Sequence, residues 1–85
     1  MTIDVIIPEY SEDKGFQITW EHGFEIEAKM EGGSLMISAN KEGLVSIAKQ
    51  LLTLAQDNVP KDYHYHLDEY NSLEEGSIPL IFHKL

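Results

Sequence analysis

Hydrophobic and polar residues alternate most clearly over residues 24–31, with Phe24, Ile26, Ala28 and Met30 on one side and Glu25, Glu27, Lys29 and Glu31 on the other. A period of two puts successive side chains on opposite faces of a strand, so the first set faces a core and the second faces water. Gly32-Gly33 follows where a two-residue hairpin turn needs positive φ angles, and residues 34–38 return as the antiparallel partner. Upstream, residues 2–7 are rich in β-branched side chains and stop at Pro8, with Ile3, Val5 and Ile7 sharing a face. After a polar loop that closes on Gly15, residues 16–20 set Phe16, Ile18 and Trp20 against Gln17 and Thr19. The connections are too short for a parallel crossover, so these four segments predict an antiparallel meander.

From Leu44 the period changes. Leu44, Ile47, Ala48, Leu51, Leu54 and Ala55 recur at three- and four-residue steps, a stripe that a helix turns toward a sheet. Asn40 is its N-cap candidate, because the side-chain oxygen can accept from an amide of the first turn, and Glu42 suits the positive end of the helix dipole. Gly43 costs about 1 kcal/mol of helix propensity and so marks a close approach of helix to sheet. Asp57, Asn58 and Pro60 end the helix after Gln56. Alternation then resumes, with Tyr63, Tyr65 and Leu67 on one side and His64, His66 and Asp68 on the other. A polar connection over residues 69–76 leads to a last strand over 78–85, where Pro79 favours the strand start or an edge. The expected architecture is a single α+β domain, residues 1–85: an antiparallel sheet built from a meander of about four strands, one helix, then two more strands, with the helix packed on one face. Trp20 and Phe82 are expected inside and Tyr70 outside.

Composition narrows the function classes. The chain has no cysteine, which excludes a disulfide framework, thiolate metal sites and a thiol nucleophile. No apolar run approaches the roughly 20 residues needed to cross a bilayer, and the N-terminus lacks a signal-peptide pattern, so a cytoplasmic protein without membrane attachment is expected. Fifteen acidic residues against six lysines give a formal charge of −9. That field repels phosphate backbones and speaks against direct nucleic-acid binding, but it speeds encounter with a basic protein such as a nuclease.

The candidate chemistry is sparse. His64 and His66 point the same way about 7 Å apart along a strand, close enough for two imidazoles to converge on one ion. Asp68 lies on the same face, but roughly 13 Å of straight strand separates it from His64, so a metal site needs a ligand from elsewhere, with His22, His83 or a glutamate as nominal donors. A polar sheet face meeting water or a partner is the commoner use of such a pair. Glu25, Glu27 and Glu31 line the wet side of one strand, either as a solvated face or as a docking face for a basic partner. No serine sits in a nucleophile-elbow context, and Gly32-Gly33 joins two strands rather than cradling phosphate.

Several short motifs carry a resemblance over residues 34–85. Asn40-x-x-Gly43-Leu44, Ala48-x-x-Leu51-Leu52, His64-x-His66-Leu67-Asp68, and Gly76-Ser77 ahead of an apolar strand together resemble a small immunity-protein family of bacterial polymorphic toxin systems. The resemblance implies a cognate toxin that the protein binds and blocks, no enzymatic activity and no cofactor. It carries over no binding residue. The leading expectation is an inhibitor whose acidic surface, with Glu25, Glu27 and Glu31 and with His64, His66 and Asp68, docks onto a basic toxin. The alternatives are a small metal-binding or metal-dependent hydrolytic domain using His64 and His66, and a homodimer that pairs edge strands.

Overall fold

The central alternation folds as a hairpin in the computed structural model, which describes residues 1–85. Strand β1 (Ile26–Glu31) pairs antiparallel with β2 (Ser34–Ala39), Ile26 opposite Ala39 and Glu31 opposite Ser34. Gly32 and Gly33 turn the corner at φ angles of 56° and 85°, the double positive φ that a two-residue turn requires. Ile26 and Ala28 are fully buried, whereas Met30, placed inward by the alternation, is 58% exposed. Only the first half of the hairpin's inner face is core.

The helix α1 (Lys41–Leu54) starts where the cap residue predicts. Asn40 Oδ1 accepts from Gly43 N at 2.8 Å and from Glu25 N at 3.0 Å, while its Nδ2 donates to Gly23 O at 2.9 Å. One side chain thus closes the helix end and pins the entry to β1. Gly43 does lie against the hairpin, beside Glu25 O and Ile26.

Two expectations fail together, for one physical reason. Residues 2–7 and 16–20 form no strands, so the four-stranded meander is absent; the chain has two separate two-stranded antiparallel sheets. The helix also turns a different stripe inward. Gly43, Ser46, Gln50, Thr53 and Leu54 are buried, while Leu44 is 57% and Leu51 41% exposed, and Ala48 and Ala55 face water. Of the expected stripe only Leu54 is buried, with Ile47 half-buried against the core.

The irregular N-terminal segment has backbone groups that no strand satisfies, and buried amides and carbonyls need partners. The helix supplies them from its polar side chains. Ser46 Oγ accepts from Glu21 N at 2.8 Å, and Gln50 Nε2 donates to Thr19 O at 3.2 Å. Just beyond the helix, Gln56 donates to Pro8 O and accepts from Tyr10 N, and Asn58 donates to Tyr10 O. A polar helix face is buried because it faces bare backbone rather than a finished sheet.

The second sheet pairs β3 (His64–Leu67) with β4 (Leu80–His83), Tyr65 opposite Phe82 and His64 opposite His83. Tyr65 and Leu67 point inward and His64 and His66 outward, as the alternation predicts. Pro79 sits immediately before β4, at the strand start. Tyr65 packs between Phe16 and Phe82, each at 5.3 Å between ring centroids. The core is Ile26, Ala28, Leu54, Val59, Tyr65, Leu67, Leu73 and Leu80. Trp20 and Phe82 line it half-buried, Trp20 stacked on Phe24 at 4.3 Å, and Tyr70 is 91% exposed.

The sheets are joined through the segment after β3. Glu74 N donates to Ile26 O and Ile78 N to Ala28 O, both at 2.8 Å, and Ala28 N donates to Ser77 Oγ. This segment occupies the outer edge of β1, where a further meander strand was expected.

Candidate functional site

Strand alternation places Glu25, Glu27, Lys29 and Glu31 on the hairpin face away from the core, together with Met36 and Ser38 of β2. Glu25 and Glu31 are exposed and Glu27 is half-buried. Lys29 Nζ stands 3.7 Å from Glu27 Oε2, an exposed pair that offsets part of the local negative charge and contributes little to stability. Glu25 and Glu27 line a shallow depression of about 250 Å³ with Ser38, Asn40 and Glu74.

Glu74 is the acidic residue that sequence reasoning missed. It lies in a polar connection far along the chain, and the bond from Glu74 N to Ile26 O, with those that Ser77 and Ile78 make to Ala28, brings it to the hairpin. No spacing rule links residues 27 and 74.

His64 and His66 lie on the exposed face of the second sheet, ring centroids 5.2 Å apart. The register selects His83 as the neighbour that spacing could not choose: it stands opposite His64, 6.3 Å between centroids. Its Nε2 is 3.2 Å from Asp62 Oδ1. No group of three His, Asp or Glu side chains is arranged to hold a metal ion, so the metal reading of His64 and His66 finds no completed ligand set. His22 lies beside Glu21 and the first turn of α1, in a depression that none of the other histidines lines.

Asp68 has an internal task. Its Oδ1 accepts from Tyr70 N at 2.9 Å and Asn71 N at 3.1 Å, and its carbonyl accepts from Leu73 N. This tight turn, closed by Asn71 donating to His66 O, directs the chain back toward β1. The expected partner-facing residues therefore form two groups, glutamates on one sheet and histidines with Asp68 on the other.

The one strongly shifted ionisable group is in the core. Burial pushes the Tyr65 hydroxyl up to about 12, and that hydroxyl has no hydrogen-bond partner. With neighbours that are aromatic rings rather than a base, it is a packing group and not a reactive one.

No helix is long and apolar enough to cross a membrane. In comparison with known families, a family model described as Immunity protein 32 matches residues 34–85, more than half of the chain. No curated protein and no solved structure matches the sequence. The matched span takes in α1, the histidine strand and the Asp68 turn, and leaves Glu25, Glu27 and Glu31 outside it.

Proposed function

Because the chain belongs to the Immunity protein 32 family, we propose that it binds a cognate bacterial toxin and blocks it without any catalysis of its own, inside the cytoplasm of the producing cell. The family match carries this reading. The toxin is proposed to be a basic protein of a polymorphic toxin system, with a nuclease as the favoured class, because a site shaped for nucleic acid is complementary to a chain of charge −9.

We place the contact on the outer hairpin face, Glu25, Glu27 and Glu31 with Glu74 at its margin. Two observations support it. These carboxylates are committed to no buried contact, and Glu25, Glu27 and Glu31 precede the matched span, where a surface can differ between family members without touching the shared motifs. His64 and His66 form a second proposed contact on the other sheet, with Asp68 positioning the turn beside them.

Co-expression with the protein encoded next to this gene tests the proposal. Purified at low salt, the pair is expected to co-elute and the toxin to lose activity in stoichiometric mixture. Association is expected to slow by about 10-fold or more between 50 mM and 500 mM salt, and the triple reversal E25K/E27K/E31K to slow it likewise at low salt. Absence of binding at low salt removes the toxin reading; tight binding that the triple reversal leaves unchanged removes the acidic face and keeps the toxin.

A further inference from the structure

We propose that the free edge of β2 pairs with the same edge of a second copy of this chain, antiparallel and centred on Ile37. The hydrogen-bond pattern defines that edge. Asn40 N donates to Glu25 O across the hairpin, and Ile26 O and Ala28 O are bonded on the far side of β1. In an antiparallel ladder bonding alternates, so Ser34, Met36 and Ser38 bond toward β1 while the amides and carbonyls of Leu35, Ile37 and Ala39 point outward. None of these outward groups has a partner within the chain.

The edge is unprotected. Natural edge strands carry lysine, proline, a bulge or a covering loop against pairing. Of the second sheet's two outer edges, the one on β4 begins after Pro79 and ends at His83, and the one on β3 carries His64 and His66, with Asn71 folded over it to donate to His66 O. β2 reads Ser-Leu-Met-Ile-Ser-Ala, without charge or proline, and exposes Leu35 at 46%, Met36 at 47% and Ile37 at 41%.

The neutrality of β2 and the symmetry of its sequence favour a second copy as the occupant, and salt screens the repulsion between two chains of charge −9. A basic partner is drawn to the carboxylates on β1, whereas a neutral apolar strand matches another neutral apolar strand. Leu35 and Ala39 are equidistant from Ile37, so a two-fold axis through Ile37 sets Leu35 opposite Ala39 of the second copy and uses all three outward residues at once. The same register carries Lys41 of each copy toward the other's hairpin tip, where Glu31 stands. The product is a continuous four-stranded sheet with β1 strands outermost. Strand pairing of this length is small for an interface, so the dimer dissociates in the micromolar range.

The test uses the chain alone and is independent of any toxin. Sedimentation equilibrium from about 1 to about 500 µM is expected to show monomer passing to dimer. I37K and I37E each place like charges on the axis and are expected to weaken dimerisation by at least about 10-fold, while an equimolar mixture of the two restores a heterodimer. Amide exchange needs no variant: protection at Leu35, Ile37 and Ala39 is expected to rise with concentration. A monomer at every concentration, a dimer indifferent to I37K, or an edge that protects only when toxin is added overturns the proposal.

Discussion

Gly43 shows how one missing methyl sets the position of the helix. A Cβ there would lie 2.6 Å from Glu25 O, 2.8 Å from Ile26 Cγ1 and 3.1 Å from Ala39 Cβ. The nearest of these is a backbone carbonyl, which cannot rotate away as a side chain can. Gly43→Ala regains about 1 kcal/mol of helix propensity but overpacks this contact, and a net destabilisation of about 2 kcal/mol is expected in urea unfolding. Tyr65 acts through its hydroxyl. Its folded-state pKa of about 12 lies above the ordinary value of 10.0, so the native state favours the protonated phenol. That stability is fully present below pH 10 and is lost as the pH rises through 12, up to about 3 kcal/mol for a shift of this size. Tyr65→Phe removes an unpartnered buried hydroxyl; stability at pH 7 is expected to be unchanged or higher, and its fall between pH 10 and 12 to be shallower.

At the scale of elements, the hairpin, the helix start and the histidine strand were legible because each is written locally: alternation, a Gly-Gly turn, an Asn cap. The helix's inward face was not. Its apolar stripe, Leu44, Ala48 and Leu51, is a true helical pattern, but the neighbour that α1 covers is irregular chain whose backbone needs Ser46, Gln50 and Gln56. Periodicity reports which face is oily and says nothing about what the neighbouring segment lacks. The two faces are separable by mutation. Leu44→Gln and Leu51→Gln are expected to shift stability by no more than about 0.5 kcal/mol each, whereas Gln50→Leu leaves Thr19 O without its donor and costs about 1–2 kcal/mol. Thermal unfolding of the three variants decides the helix's orientation. In the candidate site, Glu25, Glu27 and Glu31 were legible as one face, but Glu74 and His83 were not, since long-range backbone pairing alone brings them there.

Over the whole molecule, charge and family match divide the chain differently. The match begins at residue 34, yet Ile26 and Ala28 are core, and Phe16, Trp20 and Phe24 line it. Residues 34–85 alone would leave the buried polar helix face without the backbone it serves. The net charge of −9 acts against the compact state by self-repulsion, so raising salt from about 20 to about 500 mM is expected to raise the thermal midpoint by a few degrees, read by circular dichroism. The Gly32-Gly33 tip has a kinetic consequence. It lets β1 and β2 meet across two residues, and α1 follows after Asn40, so one unbroken stretch from residue 26 to 54 can order through near-neighbour contacts. Hairpins of this kind close in about 1–10 µs, well ahead of pairings that must span long loops. In pulse-labelled refolding, β3 and β4, separated by the 68–79 connection, are therefore expected to gain amide protection after that stretch, and Tyr10, held by side chains at the end of the helix, to gain it last.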